Sequence, residues 1–589
     1  MAQTSSATSQ LEGRGKIPLP EIVRSAVLPV LGVLVFFAAW QGLASGPLRN
    51  SNLPFASGTI TRFVEILGTS TFWAQVVTSL VQAMVGLAIS VAVGLPIGLY
   101  VGTSSLGLAM TRVVIDVIRP IPSVVVLPLA VLQWGSSTTM AIFLVCFTLI
   151  PLLIGTVAAG VRDADPIMLD AARSYRLGPL ARTWRVVIPS ALPFIATGLR
   201  ISTSFALVIA MVAGIIGGAP GLGHELEVYR QAGLLETVFA YVIALGSLGI
   251  VLNLVLTRME RRIVHWHESV RNTASTLRTD RADRTSRETT EHARLWAIQD
   301  AADSVFQRAV GLSHIHRVGR VLRPSRTAVS DRVRSWGYRA ITVAVPVVLV
   351  LLWWFVSRHS TDPYYPALSD ILHQFSNNWL SSGFAENVWP SLRNLISGVG
   401  LGIVVGVSAG VLIGQVDWLY RMVNPLISFF RSIPGIAYLP VLIAVVGFSS
   451  GMRVTAIALA TVFPLLLATV DGLHSVDSTM LDVTRSFQVS KWRRLISVQL
   501  PSAGPRIFAG LDLGLAAAVV VMVASELMGT SQGIGAQVLL AQQYFQFADV
   551  WAGVLLLAFI GIATNLVFRL ARRVLLAWYD GLRAASRTA

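Results

Sequence analysis

The sequence contains little charge, almost no lysine and one cysteine. Only 13% of its 589 residues are charged, whereas 54% are hydrophobic, and the mean hydropathy is +0.67. Soluble domains carry about 25% charged residues, so this composition excludes an ordinary soluble globule. Lys16 and Lys491 are the two lysines, and Cys146 lies inside an apolar run. A single cysteine excludes a disulfide framework and a cysteine-based metal site.

The sequence also lacks the motifs of an enzyme. It contains no G-x-x-x-x-G-K-[ST] phosphate loop, no acidic pair or Ser-His-Asp arrangement outside the apolar runs, and no metal-ligand cluster. We therefore expect a non-enzymatic chain that binds no cofactor of its own. The net charge of +16 would suggest nucleic acid in a soluble protein. In a membrane protein, arginines collect on cytoplasmic loops, so no nucleic-acid partner is predicted.

Long apolar runs dominate the chain, such as those over 27–40, 140–160 and 341–356. A membrane span needs roughly 20 apolar residues, and about twelve segments meet that requirement. The first run lacks a small-residue cleavage pattern, so we interpret it as a retained span rather than a removed signal peptide. The spans of the first half are predicted near 24–44, 76–102, 112–133, 139–160, 194–216 and 237–257.

The two halves of the chain are a tandem duplication with an offset of 312 residues. "RPIPSVVVLP" at 119–128 matches "RSIPGIAYLP" at 431–440, and glycines 94, 98 and 102 match glycines 406, 410 and 414. The offset places six further spans in the second half. An even number of spans per unit makes this a parallel repeat about an axis along the membrane normal.

Arginines predict the orientation and the domain boundaries. The loop after the fourth span of each half is basic, which places it, both termini and the midchain linker in the cytoplasm. The linker is polar and is expected to be partly helical and otherwise flexible. The predicted units are an N-terminal tail over 1–23, a first core over 24–267, the linker over 268–335, a second core over 336–579 and a C-terminal tail over 580–589.

The basic loops, at 161–192 and 473–504, are longer than short connections require. The first is predicted to form two short helices separated by the turn signal Gly178-Pro179. It resembles the cytoplasmic coupling motif of ABC importer transmembrane subunits, E-A-A-x3-G-x9-I-x-L-P. The matching positions are Asp170, Ala171, Ala172, Arg176 and Pro189 in the first half, and Asp482, Val483, Thr484, Gln488 and Pro501 in the second. Both copies carry Asp for Glu and lack the motif's glycine, and the second lacks both alanines.

The "LPxxS", "RPIP…LP" and "ELMG…GIG" stretches are similar to the nitrate, sulfonate and taurine branch of these permeases. The resemblance implies an all-α polytopic protein of the bacterial inner membrane, with two six-helix type I permease cores related by pseudo-two-fold symmetry. It implies two ATPase subunits that bind ATP and Mg on the cytoplasmic loops, and an extracytoplasmic solute-binding protein. The mechanism would be alternating access for a small, anionic solute.

Five residues are candidates for the solute pathway. Pro122 and Pro434 are expected, with Pro128 and Pro440, to interrupt the third spans, and broken helices tend to line cavities. Arg200 and Asp512 occupy equivalent positions in the fifth spans, and we expect them to face each other and to pair. Glu526 has glycine as its counterpart, so the two halves differ there.

Two other classes of protein remain open from the residues alone. An ion-coupled secondary transporter is also built from two six-span halves, but it needs no coupling motif and commonly has inverted repeats. A membrane scaffold would use its loops only to recruit cytoplasmic proteins.

The glycines spaced by four residues in the second spans are interpreted as packing positions.

Overall fold

The protein is helical throughout the part of the chain that the computed structural model describes. That part comprises residues 19–263 and 327–581, apart from positions 48, 50, 51, 120, 165, 381, 530, 531 and 580. Within these residues there are helices and no strands, which confirms the all-α prediction. The predicted linker lies outside the described residues except for its end, which begins the first helix of the second half.

The helices of the two halves correspond one to one. The first half contains α1 (Leu19–Ser45), α2 (Ala56–Leu67), α3 (Ser70–Thr103), α4 (Ser105–Ile118), α5 (Ser123–Trp134), α6 (Thr138–Arg162), α7 (Pro166–Ser174), α8 (Pro179–Arg182), α9 (Ile188–Ile215), α10 (Leu222–Gln231) and α11 (Leu235–Ile263). The second half contains α12 (Thr327–Ser357), α13 (Leu368–Trp379), α14 (Trp389–Gln415), α15 (Asp417–Ser432), α16 (Tyr438–Val446), α17 (Ser450–His474), α18 (Ser478–Ser486), α19 (Lys491–Arg494), α20 (Leu500–Leu527), α21 (Ile534–Gln543) and α22 (Phe547–Leu575).

The bounds of these helices confirm the tandem duplication. From α6 to α11, each helix of the first half begins and ends 312 residues before its counterpart between α17 and α22. The positions where the halves differ are therefore substitutions on a common backbone. Their chemistry can be compared position by position.

Ten helices in the described residues are long and apolar enough to cross a membrane. The third span of each half is instead broken, into α4 and α5 and into α15 and α16, so about twelve spans fit. Pro122 is the residue just before α5, and Pro434 follows the end of α15, where the chain bends by 92°. Both prolines interrupt the span as predicted. Pro128 and Pro440 lie inside α5 and α16, so the expectation that they also break the helix is wrong.

Glycines set the distance between the second and fourth spans. A Cβ atom on Gly98 would lie 2.7 Å from Cβ of Val157, and one on Gly410 would lie 2.6 Å from Cβ of Thr469. Successive glycines meet successive turns of the facing helix, so α3 runs parallel to α6 and α14 to α17. Close backbone approach increases van der Waals contact, which holds helices together in lipid. The packing interpretation of these glycines is thus confirmed.

The first span of each half packs against the other half. Helix α1 packs against α15 of the second half, and α12 packs against α4 of the first. Gly32 lies so close to α15 that a Cβ atom there would overlap the backbone carbonyl of Met422. Because α11 also contacts α15, through Gly249 at the Ser432 carbonyl, the halves interlock rather than merely touch.

The glycine packing predicts different outcomes for two neighbouring substitutions in α14. A Cβ atom on Gly402 would lie 2.6 Å from Cβ of Thr461, whereas one on Gly400 would meet nothing within 4 Å. We expect Gly402→Ala to lower the free energy of unfolding by about 1–3 kcal/mol through overpacking. Gly400→Ala should leave it unchanged or raise it by up to about 1 kcal/mol. Thermal unfolding in lipid nanodiscs measures both, and equal effects would contradict the packing role.

Candidate functional site

Helices α7 and α18 end in the same left-handed turn. Arg176 has a φ of 54° and Gln488 a φ of 52°. In the first half, the amide of Arg176 donates to the carbonyl of Arg173, and the amide of Leu177 donates to that of Ala172. This is the hydrogen-bond pattern of a Schellman cap, which favours glycine. The glycine of the coupling motif thus has a physical reason at this position, and this chain accepts a cost of about 1 kcal/mol per turn for Arg and Gln.

The acidic residue of each motif is exposed and forms an ion pair within its own helix. Asp170 lies 2.8 Å from Arg173, and Asp482 lies 2.8 Å from Arg485. The two carboxylates are 70% and 66% exposed, so solvent screens the pairs and each contributes at most about 0.5 kcal/mol. Both carboxylates are therefore free to face another protein.

The loss of the alanines in the second motif leaves the helix unchanged. Ala172 is buried, and the half-buried Thr484 takes its place, with Oγ1 donating to the carbonyl of Leu481 at 2.7 Å. Ala171 and Val483 both face outward. Because α7 and α18 have equivalent bounds, the two segments present the same backbone shape despite different side chains.

We call the basic loops at 161–192 and 473–504 the coupling segments, after the motif that they resemble. Pro189 lies where the first of them joins the fifth span. Residues 183–187 form a π-helical turn, in which the amide of Ile188 donates to the carbonyl of Thr183. Such a wide turn spares the ring of the following proline a clash with the preceding turn, so the helix continues without a break. The second of the two predicted short helices does begin at Pro179, but it is not a separate helix, because it continues as one helix over 179–215. Gly178 precedes this helix with a φ of −60°, and the second half repeats the joint at 495–499 and Pro501.

Exposed apolar side chains surround the two charged motifs, and the sequence interpretation missed them. Tyr175 is 83% exposed and its counterpart Phe487 is 79% exposed. Leu180 and its counterpart Trp492 are exposed to a similar degree. The detectable signal was that large apolar residues recur, in register, within loops that are otherwise basic. Each coupling segment therefore presents an apolar tip with a charged rim.

Arg200 forms its ion pair within the first half. Its Nη1 lies 3.0 Å from Oε2 of Glu260 on α11, and Thr197 also donates to that carboxylate at 3.2 Å. The expected pair between Arg200 and Asp512 is therefore wrong. The counterparts of Arg200 and Glu260 are Asp512 and Arg572, so the second half carries the same two charges in exchanged order. The pair with Glu260 neutralises the charge of Arg200 within the first half.

A cavity of about 320 Å³ lies between the halves, at the end of the fifth spans remote from the coupling segments. Its two walls differ in chemistry. The first half contributes polar side chains from α10, of His224, Glu227 and Gln231, as well as apolar ones such as Ile215 and Val228. The second half contributes apolar residues, among them Leu527, Met528 and Leu539. Glu227 is held by Arg230, whose guanidinium makes two hydrogen bonds to it, and this bonding raises the pKa of Arg230. That wall is therefore polar but locally neutral.

Glu526 lies beside this cavity and does not line it. Its side chain is fully buried, and its carboxylate accepts hydrogen bonds from Ser391 and from the amide of Gly535. In this structure such burial prevents direct contact with a solute. Glu526 therefore does not lie on the surface of the predicted pathway. Pro122 and Pro434 are half-buried and buried, respectively, at the breaks of the third spans.

Comparison with known proteins identifies the two halves. The family model described as the binding-protein-dependent transport system inner membrane component matches residues 94–265 and again residues 401–579. The chain belongs to this family. Both matched ranges contain a coupling segment and the fifth and sixth spans. The protein is thus a tandem fusion of two ABC importer permease units in a multi-pass membrane protein.

Individual relatives of this permease are about half its length. A putative aliphatic sulfonates transport permease of Bacillus subtilis is 34% identical over 199 residues, which cover 33% of this chain and 70% of the relative. The taurine transport system permease of Escherichia coli is 26% identical over 250 residues, 41% of this chain and 91% of the relative. The nitrate import permease of a Synechocystis strain is 26% identical over 206 residues, 33% and 75% respectively. Each relative therefore corresponds to one permease unit.

The left-handed turn of the coupling segment predicts a stabilising substitution in this permease. Replacing Arg176 with glycine removes the steric cost of a side chain at φ 54° and should raise the free energy of unfolding by up to about 1 kcal/mol. As a control, Arg173→Gly, inside α7, should lower it by about 1 kcal/mol. Thermal unfolding in nanodiscs compares the two variants. A loss of stability in Arg176→Gly would show that the left-handed conformation of Arg176 does not lower the free energy of unfolding.

The ion pair between the fifth and sixth spans predicts rescue by charge exchange. Arg200→Glu should lower the free energy of unfolding by about 3 kcal/mol, because it leaves Glu260 partly buried beside a like charge. The double variant Arg200→Glu with Glu260→Arg should recover at least half of that loss. Thermal unfolding of both single variants and the double variant gives the coupling energy. A stable double variant that loses transport would instead show that the charge of Arg200 serves the solute.

Proposed function

We propose that this protein is the transmembrane permease subunit of an ATP-driven ABC importer. It would form the translocation pathway for a small anionic solute and would work by alternating access. The observation that carries this proposal is the pair of equivalent helices, α7 and α18, each with an exposed apolar tip and a charged rim. Such a surface is favourable for a protein partner, because apolar contacts supply affinity and charges supply orientation.

Two ATPase subunits would supply the energy. ATP and Mg would bind on those subunits, and this chain would act as a transport subunit without ATP chemistry of its own. One subunit would dock on α7 and the other on α18. The continuous helix from Pro179 to Ile215 would carry the resulting movement directly into the fifth span. The loops of both coupling segments, the two termini and the linker would then lie in the cytoplasm, which agrees with their arginine content.

The solute is proposed from the relatives. The permeases reported above are named for aliphatic sulfonates, taurine and nitrate, which share an anionic group. Arg200 gives no support for an anion, because its charge is neutralised by Glu260. An extracytoplasmic binding protein would deliver the solute at the end of the protein where the cavity between the halves lies.

The docking role of the coupling segments predicts the effect of placing a charge on each apolar tip. Tyr175→Glu combined with Phe487→Glu should reduce association of the ATPase subunits with the full-length permease at least tenfold, because both tips would have to be desolvated as carboxylates. Each single variant should lose less. The measurement is co-purification of the host's own ATPase subunit with the tagged permease, followed by ATP hydrolysis in liposomes.

Tyr544→Glu provides a matched control. Tyr544 is an aromatic residue, 71% exposed, at the end of α21 and remote from the coupling segments. This variant should keep its ATPase subunits. Normal association in the Tyr175 and Phe487 double variant would contradict the docking role. Full-rate uptake by the permease alone, under an ion gradient, would favour the secondary transporter instead.

A further inference from the structure

The second-half wall of the cavity consists of two segments that do not follow each other directly in the chain. One is the stretch over 527–529, which comprises the last residue of α20 and the two residues after it, and the other is α21, which contributes Leu539. Both must keep a fixed position if the cavity is to keep its shape. Glu526 immediately precedes the first segment in the chain, and its side chain contacts the start of α21.

The carboxylate of Glu526 holds the first turn of α21. One oxygen accepts from Oγ of Ser391 at 2.6 Å, and the other accepts from the amide of Gly535 at 2.8 Å. Oγ of Ser391 in turn accepts from the amide of Ile534 at 3.1 Å. Helix N-termini carry unsatisfied amides and a partial positive charge, so a carboxylate stabilises them strongly where water is excluded. Three helices, α14, α20 and α21, are thereby joined at one point.

The loop backbone is shaped around this carboxylate. Gly533 has a φ of 120°, and a Cβ atom there would lie 2.5 Å from the carboxyl carbon of Glu526. A Cβ atom on Gly535 would lie 2.8 Å from Cβ of Glu526. Any side chain at either position would push α21 away from α20. The two glycines therefore permit the close approach that the hydrogen bonds require.

The first half holds its equivalent helix without a carboxylate from the fifth span. Gly214 replaces Glu526, and a Cβ atom on it would lie 3.0 Å from Cα of Gly223, so α10 packs directly on α9. Oγ of Ser79, the counterpart of Ser391, accepts from the amide of Leu222 at 2.9 Å. The hydroxyl contact is thus common to both halves, whereas the carboxylate contact is specific to the second.

An arginine near this point is likewise present in the second half and absent from the equivalent position of the first. Arg453 at the start of α17 donates to the backbone carbonyl of Gln532, in the loop just before α21. Its counterpart in the first half is Ala141, which is fully buried in the apolar core. The second half alone therefore carries an acidic and a basic side chain at the loop that precedes its cavity-lining helix.

We infer that Glu526 is a positioning residue for the solute pathway. It fixes α21 and the segment over 527–529 to α20 and α14, and thereby sets the second-half wall of the cavity. Movement of the fifth span would then move this wall as one unit with it, whereas α10 in the first half and the loop before it are held to α9 by close backbone packing and to α3 by hydrogen bonds with Ser79, Gln75 and Gln82. The consequence for transport rests on the proposed function, but the fixing of α21 does not.

Hydrogen exchange tests the fixing of α21 in the full-length permease in nanodiscs, without any partner. In Glu526→Ala, the amides over 533–537 should exchange at least tenfold faster than in the unmodified protein. The amides over 221–225 serve as an internal control and should stay within twofold. Glu526→Gln keeps one acceptor oxygen for the amide of Gly535 and should stay within about threefold. Ser79→Ala is the matched first-half variant and should affect only 221–225.

The same measurement contains the outcomes that would overturn the assignment. Unchanged exchange over 533–537 in Glu526→Ala would do so, as would an equal increase in both regions, which would indicate general destabilisation. If Glu526→Ala does not fold, Ser391→Ala decides, because it removes the hydroxyl link alone and should still accelerate exchange over 533–537 by at least threefold.

Uptake by the reconstituted complex tests the consequence for the pathway. Glu526→Ala should raise the KM for solute presented by the binding protein at least fivefold, while association with the ATPase subunits stays normal, and Glu526→Gln should restore the KM. Faster exchange with an unchanged KM would overturn the role in positioning the pathway wall. Failure of the ATPase docking test would contradict the proposed function and leave the exchange result standing.

Discussion

Close backbone packing between the second and fourth spans is the constraint on which both halves depend. In lipid, apolar side chains gain little by leaving their solvent, so helices associate through van der Waals contact and need small residues to approach. Glycines at every fourth position of α3 and α14 provide that approach over several turns. The fifth span packs on the fourth in each half, and it carries the coupling segment at one end and the cavity at the other. The distance between these functional ends is therefore set by rigid helix packing.

A shared backbone with different side chains allows the two halves to take different parts. Arg200 and Glu260 form an ion pair in the first half, and the second half carries the opposite charges at these two positions, in Asp512 and Arg572. At the cavity, polar side chains come from the first half, whereas the second half contributes apolar residues beside the buried Glu526. Fusion into one chain makes such specialisation possible, because the two units always meet each other and never a second copy of themselves.

The coupling segments combine a left-handed cap with a π-helical joint. The cap directs the chain from α7 back toward the membrane, and the joint lets a proline sit inside a continuous helix. The motif's glycine and proline therefore each have a geometric reason. In this chain Arg176 and Gln488 adopt the glycine conformation at a small energetic cost, since the caps are otherwise fully hydrogen bonded.

A family resemblance located the coupling motifs, whereas the sequence by itself determined the membrane class, the duplication and the broken third spans. These features depend on composition, spacing and local backbone chemistry, which are readable along the chain. Only the tertiary structure decided which charges meet: Arg200 pairs with Glu260 because α9 packs against α11, and Glu526 is buried because α21 folds back over the end of α20. Partner choice depends on distances between residues remote in sequence. The continuity of the helix through Pro189 was likewise hidden, because it depends on a wide turn that sequence propensities do not signal.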